Sequence, residues 1–358
     1  MPTLAVTMSF EQTLQEQVQA AAASGTALSI QGGNSKSFYG RNIQGEVLSV
    51  REHQGIIDYT PSELVISAHA GTTLTALESV LEQQGQMLPF EPPHFGDNAT
   101  LGGTIACAFS GPRRPYSGAA RDFVLGVNCV NGKGEMLRFG GQVMKNVAGY
   151  DVSRTLTGSL GTLAIMLDIH LRVLPRPETE ITLQQACDAA TAIQRCNALA
   201  AKPLPLSACC YIDGQLTMRL SGMEQGVRSA AASIGGEPLA DARRFWHQLR
   251  EHQLAFFSGE QPLWRLSLPP ATEPLPLEGN TLLDWGGAQR WLRSEQAADS
   301  IRSISASAGG HATLYRGGDH SGEVFHPLAP QLLALHQRLK QTFDPAGILN
   351  PGRMYREL

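Results

Sequence analysis

The chain has 358 residues, enough for two domains, because a single hydrophobic core rarely grows far beyond roughly 250–300 residues. Its formal net charge of −4 gives no reason to expect nucleic-acid binding, which needs a clustered positive surface. Charged residues make up 17% of the chain, below the usual ~25%, which slightly favours burial against a partner subunit over a large monomer.

Cysteine usage and hydropathy restrict the class further. The cysteines show no Cys-x-x-Cys spacing, and no secretory signal pattern precedes them, so we expect reduced, mostly buried thiols in a cytoplasmic protein. This argues against an iron–sulfur cluster, and we predict no metal site. No apolar run approaches the ~18 residues that cross a bilayer, so membrane association would be peripheral or through a partner.

The predicted elements begin with a helix and three strands. Ser9 and Gln12 form a capping-box pattern, and apolar residues then recur at helical spacing until Gly25. Strand-like segments follow at residues 27–31, 47–50 and 64–68. A second amphipathic helix is predicted to open at Thr73 and to stop at Gly85.

A hairpin and a long strand complete the first part of the chain. Asn131 and Gly132 tolerate positive φ, which predicts a turn between strands at residues 124–130 and 135–139. Apolar and polar residues alternate over residues 165–173, which predicts a strand with one buried face.

A proline-rich break at residues 175–177 marks the predicted domain boundary. Beyond it, helix-like and strand-like segments alternate at residues 184–200, 207–213, 215–220, 239–254 and 263–268. A last helix ends at Asp344, and its apolar residues fit one face: Leu328, Leu332, Leu335, Leu339 and Phe343.

Two glycine-rich loops are the strongest functional signal. Residues 31–37, QGGNSKS, follow a predicted strand and offer consecutive backbone N–H groups that suit a diphosphate, although a surface turn explains this loop equally well by itself. Residues 98–103, NATLGG, form a second such loop, and the two together favour a dinucleotide site. The G-x-G-x-x-G and P-loop fingerprints are absent, which weakens an NAD(P) site or a nucleoside triphosphate site.

The order of several motifs resembles the vanillyl-alcohol oxidase (PCMH) type of FAD-binding protein. Within it the chain resembles the family of FAD-binding E subunits of bacterial glycolate oxidases, also called glycolate dehydrogenases. The resemblance covers nearly the whole chain and depends on these segments: QGGNSKSFYG, ELVISAHAGTTL, LPFEPPHFGDNATLGG, SGPRRPYSG, NVAGYDVSRTLTGSLGTL, LDWGGAQRWL, GGHAT and FDPAGILNPGR.

The resemblance implies an α+β fold. A PCMH-type FAD-binding domain of two α+β subdomains would span residues 1–175, and a smaller α+β cap domain would span residues 176–310. A C-terminal segment, residues 311–358, would return to the first domain.

The resemblance also implies which residues surround FAD. Residues placed around the diphosphate are Gly32, Gly33, Asn34, Ser35 and Lys36, and those along the diphosphate and ring edge are Thr100, Gly102, Gly103, Ser110 and Gly111. Gly161, Thr162 and Ile165 would touch the cofactor through backbone groups, with Asn350 and Arg353 as further contacts. Family members with covalent flavin carry His where this chain has Asn34, so we predict non-covalent FAD.

The candidate catalytic base is His311, in the GGHAT segment, because an imidazole near the flavin could take the hydroxyl proton of a 2-hydroxy acid. A tight histidine cluster is absent, and His336 lies on the predicted last helix as a packing or surface residue. Arg113 and Arg114 could bind a phosphate or carboxylate, or form a solvated or interface pair.

The function implied is an FAD-binding subunit of a glycolate-oxidising complex. Its partners would be a paralogous catalytic flavoprotein and an iron–sulfur subunit, which pass electrons towards membrane quinones. Two alternatives stay open: a stand-alone FAD-dependent dehydrogenase of a small 2-hydroxy acid such as D-lactate, and a flavin-fold scaffold without redox activity.

Overall fold

The computed structural model describes residues 8–141 and 151–358. The helices are α1 (Phe10–Ser24), α2 (Leu74–Gln83), α3 (Leu101–Cys107), α4 (Arg114–Ser117), α5 (Ala120–Phe123), α6 (Val152–Leu156), α7 (Ala189–Ala200), α8 (Glu224–Ile234), α9 (Ala242–Arg250), α10 (Ala298–Ser307) and α11 (Pro330–Phe343). The strands of the first half are β1 (Leu28–Gln31), β2 (Glu46–Ser49), β3 (Ile56–Thr60), β4 (Val65–His69), β5 (Gln86–Met87), β6 (Val124–Asn131), β7 (Met136–Gly140), β8 (Ala164–Arg172) and β9 (Leu174–Pro175). Those of the second half are β10 (Thr179–Ala186), β11 (Leu206–Ile212), β12 (Gln215–Gly222), β13 (Glu237–Pro238), β14 (Leu263–Ser267), β15 (Asn280–Asp284), β16 (Gln289–Arg293) and β17 (His311–Arg316).

The two helices predicted first are confirmed, with their caps. Ser9 and Gln12 form the capping box of α1, and Gly25 ends this helix in the left-handed conformation at φ 70°. Thr73 caps α2 by accepting a hydrogen bond from the backbone N–H of Ala76.

A five-stranded sheet in the order β3-β4-β8-β6-β7 forms the first half, and β8 is its central strand. One side of this strand packs on α1 through Ile165 and Leu167, and the other packs on α2 and α3 through Ala164 and Met166. The prediction of a half-buried strand is therefore wrong: Met166 and His170 are buried as well, because helices cover both faces.

The predicted hairpin is confirmed as β6 and β7, but the residue with a positive φ is Gly134 rather than Asn131 or Gly132. The backbone N–H of Gly134 donates to the carbonyl of Asn131 at 3.0 Å. The positive φ of 74° belongs to Gly134, because the turn is closed by the last residue of the Asn131–Gly134 loop.

An eight-stranded sheet forms the second half, in the order β13-β10-β12-β11-β15-β16-β14-β17. The chain leaves the five-stranded sheet after β8, pairs β9 with β5, and enters the eight-stranded sheet at β10, next to the predicted proline-rich break. The α+β class is confirmed, whereas the boundaries 1–175, 176–310 and 311–358 stay predictions; β17 pairs with β14 inside the eight-stranded sheet.

The C-terminal tail lies against the first strand of the chain. Leu28 forms a parallel bridge with Leu349, and both residues are buried in the core beside α1. Before the tail, α11 exposes Leu332 and Leu335, which are 43% and 47% accessible. Within the described residues, no helix has the length and apolarity needed to cross a bilayer.

Candidate cofactor site

The two glycine loops predicted from the sequence pack directly against each other. The first follows β1, and the second leads into α3. The side-chain amide of Asn98 donates to the carbonyl oxygen of Gly33, and a Cβ at Gly33 would overlap the carbonyl oxygen of Asn98. A Cβ at Gly32 would overlap the hydroxyl of Thr100 in the same way. Both glycines are therefore required for the close approach of the two loops.

An open cleft of about 410 Å³ lies along this contact, a volume typical of small-molecule sites. Helix α3, which follows the second loop, contributes Cys107, and the C-terminal tail contributes Asn350 and Arg353. The lining residues that the sequence predicted are Gly32, Gly33, Asn34, Ser35, Lys36, Thr100, Gly103, Asn350 and Arg353.

Lys36 is a buried cation in the cleft wall, with 7% of its surface accessible. Its ammonium group donates to the carbonyl of His94 at 3.1 Å and to the hydroxyl of Ser35 at 3.2 Å. Burial lowers the pKa of Lys36. Among the described residues, no carboxylate lies within ion-pair distance of this group. Glu251 acts on this ammonium only from beyond ion-pair distance, and a buried lysine without a direct ion pair fits a cofactor that supplies negative charge.

Arg353 adds positive charge to the cleft lining, and Arg265 lies outside this lining, bonded to the Tyr39 hydroxyl. Arg353 and Arg265, like Lys36, lie within electrostatic reach of the Cys107 thiol, where their charges oppose the effect of burial on its pKa. Burial has the larger effect and raises the pKa of Cys107 to about 11, so the thiol is neutral. This donor set, backbone N–H groups with the two cations Lys36 and Arg353, fits the diphosphate of FAD.

The C-terminal tail lines the cleft and contacts both β1 and the end of the first glycine loop. Asn350 accepts a hydrogen bond from the backbone N–H of Ile30 at 2.8 Å and donates to the carbonyl of Leu160 at 2.7 Å. Arg353 donates to the carbonyls of Ser37 and Arg41, at 2.7 and 3.1 Å. The first glycine loop is therefore fixed by residues more than 300 positions away in the sequence.

An aromatic cluster fills the space between the first glycine loop and the eight-stranded sheet. Tyr39 contacts the rings of Phe109 and Tyr315, with centroids 4.7 and 5.4 Å apart. The guanidinium of Arg265 donates to the Tyr39 hydroxyl at 3.0 Å. Aromatic side chains from both halves of the chain therefore pack together beside the cleft.

Several predicted site residues lie outside the cleft. Gly102 faces Ala70, whose Cβ would be 2.7 Å from an added Cβ. Ser110 and Gly111 line a separate cavity of about 40 Å³ with Arg265. Thr162 lines another cavity of about 360 Å³, and Ile165 is fully buried in the core beside α1.

Gly161 lies beside the cleft rather than in its lining. It has a φ of 71°, and an added Cβ would be 2.8 Å from the amide nitrogen of Asn350. The neighbouring Leu160 lines the cleft. Gly161 therefore positions the tail, and its need for a positive φ explains the residue type.

The candidate base, His311, is exposed at the start of the edge strand β17 and does not line the cleft. Partial burial, Arg265 and His326 lower its pKa. Arg113 forms ion pairs with Glu91 at 3.1 Å and with Glu180 at 2.6 Å, so its role is structural in this arrangement.

The other side chains weighed from the sequence make local contacts. Arg114 lies over the ring of Trp285 at 4.4 Å. His336 on α11 lines the cavity that also contains Thr162. The sequence did not indicate roles for three further residues: Tyr39 lies near the end of the QGGNSKSFYG segment, Cys107 is the last residue of α3, and Arg265 lies in β14 without a motif.

Comparisons with known proteins agree with this geometry. A family model described as an FAD binding domain matches residues 2–140, and one described as the C-terminal domain of FAD linked oxidases matches residues 283–354. The glycolate oxidase subunit GlcE of Escherichia coli is 50% identical over 98% of both chains. A D-lactate dehydrogenase of Archaeoglobus fulgidus is 26% identical over 88% of this chain and 82% of its own.

Two further relatives are more distant. The glycolate oxidase subunit GlcD of Bacillus subtilis is 32% identical, over 39% of this chain and 29% of its own length. A solved structure of alkyldihydroxyacetonephosphate synthase shares the fold, with a TM-score of 0.66 and 16% identity over 96% of this chain and 75% of its own.

The domain matches and the cleft together define an FAD-linked oxidoreductase. The cofactor prediction, FAD, is confirmed at this level. The full-length similarity is more specific: the chain belongs to the family of the glycolate oxidase subunit GlcE.

Proposed function

We propose that this chain is the FAD-binding subunit of a complex that oxidises glycolate to glyoxylate. The observation that carries the proposal is the 50% identity to a glycolate oxidase subunit over 98% of both chains. The cleft supports it, because Lys36 and Arg353 line the space expected for an anionic cofactor.

The cleft residues hold FAD without a covalent bond. Backbone N–H groups of residues 32–36 and the hydroxyl of Thr100 would bind the diphosphate, and Lys36 and Arg353 would offset its charge. In this cleft FAD would supply a hydride acceptor for the hydroxyl-bearing carbon of the 2-hydroxy acid. Asn34 offers no imidazole for covalent attachment.

Catalysis depends on partner subunits: a paralogous catalytic flavoprotein and an iron–sulfur subunit. Of the histidines in the described residues, none lines the cleft, so this part of the chain places no imidazole there as a proton acceptor. The complex is cytoplasmic and reaches the inner face of the cell membrane through its partners.

Anaerobic mixing of the purified chain with glycolate or D-lactate tests the assignment. We expect FAD in the isolated chain at one equivalent, little bleaching of its absorbance by substrate alone, and rapid bleaching after the partner flavoprotein is added. Absence of FAD, also after reconstitution, would refute the proposal. Bleaching without a partner would favour a stand-alone 2-hydroxy-acid dehydrogenase, and a flavin that no subunit combination reduces would favour a scaffold.

The role of His311 is tested separately. His311→Ala is expected to leave the FAD content unchanged, because the residue is exposed and lies outside the cleft. The turnover number of the assembled complex then decides whether this imidazole takes part in proton transfer. His247→Ala, at an exposed position of α9 outside the cleft, is the control.

A further inference from the structure

Three side chains outside the cofactor cleft converge on the five-stranded sheet. His69 on β4 is the register partner of Asp168 on β8, and Asp168 is in turn the register partner of Asn128 on β6. The three residues therefore form one row across neighbouring strands. His53, in the loop after β2, brings a second imidazole to this row.

The ligand-type atoms of this group lie close together. Oδ1 of Asp168 is 2.7 Å from Nδ1 of His69 and 3.1 Å from Nε2 of His53. All three atoms lie within 4.8 Å of one another. Zinc bound by two imidazoles and a carboxylate has metal–ligand distances of about 2.0–2.2 Å, so its ligand atoms are ~3.3 Å apart. The separations of the Asp168 oxygen from the two nitrogens, 2.7 and 3.1 Å, are close to that spacing.

The surroundings hold each of these side chains in place. Asn128 donates to the other carboxylate oxygen of Asp168 at 2.7 Å, which leaves Oδ1 facing both imidazoles. The amide oxygen of Asn128 is buried and has no hydrogen-bond partner. His53 stacks on Phe10 of α1 at 4.8 Å, and its carbonyl accepts from Gly71 at 2.8 Å. Hydrogen bonds and packing contacts of this kind fix the orientation of side chains that bind metal ions in proteins.

The group is also accessible. The side chain of His69 is 30% exposed, that of Asp168 is 19% exposed and that of His53 is 7% exposed. An ion could enter from solvent and keep water ligands on its outer side.

We propose that His53, His69 and Asp168 bind a divalent transition-metal ion of the zinc class. Two nitrogen donors and one carboxylate suit zinc and its neighbours rather than calcium or magnesium, which prefer oxygen ligands. The ion would join the loop that contains His53 to strands β4 and β8, away from the cleft. No metal site was predicted from the sequence, because the three ligands lie 16 and 99 positions apart without a motif.

The experiment measures zinc binding by the FAD-loaded chain after dialysis against a chelator. Isothermal titration with zinc, followed by elemental analysis of the gel-filtered protein, is expected to give one tight site per chain. His69→Gln and Asp168→Asn should each weaken the affinity at least tenfold. His94→Gln is the matched control, because His94 pairs with a single carboxylate, that of Glu78, at 3.1 Å and should keep full affinity.

X-ray absorption at the zinc edge of the loaded protein provides a second readout. Two imidazole ligands and one carboxylate are expected in the wild type, and one imidazole is expected to be missing in His69→Gln. The FAD absorbance and circular dichroism of each variant verify folding. If Asp168→Asn does not fold, His69→Gln decides alone, because it keeps the Asp168–His53 contact. Absence of a stoichiometric site, or equal zinc affinity in wild type and His69→Gln, would leave only a hydrogen-bonded cluster and overturn the proposal.

Discussion

At the scale of single residues, Lys36 has an unusual environment for a lysine. Its ammonium is buried, its hydrogen bonds go to neutral oxygens, and its pKa is lowered by burial. A cation kept in such a place without an anion destabilises the free protein. The cofactor diphosphate would remove this cost, so binding energy and folding energy are coupled at this residue.

Lys36→Met is expected to weaken FAD binding by roughly 10- to 100-fold, since a charge-assisted hydrogen bond contributes about 1.5–3 kcal/mol and methionine keeps the apolar volume. The measurement is FAD titration of the apoprotein followed by flavin fluorescence. Lys133→Met, at an exposed hairpin position, is the control and should bind FAD like the wild type. Equal affinity of Lys36→Met and the control would contradict the assignment of Lys36 to the diphosphate.

Asp284 gives a prediction about pH. This buried carboxyl accepts hydrogen bonds from the backbone N–H of Trp285 and the amide of Gln289, at 2.8 and 3.2 Å. Burial nevertheless raises its pKa to about 7. Because the unfolded chain releases this proton at a lower pH than the folded one, the contribution of Asp284 to stability is complete below about pH 4 and is lost as the pH rises towards 7.

Asp284→Asn is therefore expected to remove part of the pH dependence. Between pH 4 and 7 the free energy of unfolding of the wild type should fall relative to the variant by up to about 1.4 kcal/mol per pH unit. Urea unfolding at several pH values measures this difference. Asp213→Asn, in an exposed turn, serves as control. A wild type and an Asp284→Asn variant with parallel pH profiles would refute the raised pKa.

At the scale of elements, helix α3 shows how two adjacent glycines take different roles. Gly103 lines the cleft, and a Cβ there would be 3.2 Å from the hydroxyl of Thr100. Gly102 faces the opposite way, towards Ala70, where a Cβ would lie 2.7 Å from another Cβ and 3.0 Å from a carbonyl oxygen. One glycine leaves room for a ligand, and the other permits the packing of α3 on the sheet.

The pair of variants Gly103→Ala and Gly102→Ala separates these roles. Gly103→Ala is expected to weaken FAD binding about tenfold with stability unchanged or raised by up to ~1 kcal/mol, because alanine favours the helix. Gly102→Ala is expected to lower the free energy of unfolding by roughly 1–3 kcal/mol through overpacking. Flavin titration and denaturant unfolding of both proteins measure the two effects. Reversed outcomes would show that the cleft lies on the other face of α3.

The sequence predicted local elements well where their signal is local. The cap of α1, the end of that helix at Gly25 and the β6–β7 hairpin follow from neighbouring residues, and the structure has them. The burial of β8 on both faces was not predictable. Its alternating polar residues are typical of a solvent-exposed face, and the sequence pattern does not show that helices cover that face. The exposure of Leu332 and Leu335 on α11 has the same origin, because periodicity shows a face but not what covers it.

In the candidate site, too, the residues that belong to a local motif were predicted and the others were not. The two glycine loops were predicted because each has a compact motif, and they meet in the structure. Roles for Tyr39, Cys107 and Arg265 were not predicted, since these single side chains carry no motif of their own and only the packing shows that Arg265 of the eight-stranded sheet reaches Tyr39. Gly102 has a glycine motif yet faces a strand connection, which the motif alone does not distinguish.

At the scale of the whole molecule, the cleft depends on contacts between distant parts of the chain. The aromatic cluster combines Tyr39 and Phe109 from the first half with Trp291 and Tyr315 from the eight-stranded sheet. The tail adds the bridge between Leu28 and Leu349. Since no single segment forms the cleft, disruption of one long-range contact should affect folding stability and cofactor affinity together.

Asn350 is the contact where this dependence can be measured. Its amide joins β1 to the loop at Leu160, and its backbone has a φ of 41°, which alanine rarely adopts. Asn350→Ala is expected to lower the free energy of unfolding by roughly 2–4 kcal/mol and to weaken FAD binding, because two buried backbone groups lose their partner. Asn350→Gly removes the backbone strain but not the loss of both hydrogen bonds, and exposed Asn280→Ala is the control. Unfolding with and without saturating FAD measures both effects, and wild-type behaviour of Asn350→Gly would show that the tail contact stabilises neither the fold nor the cleft.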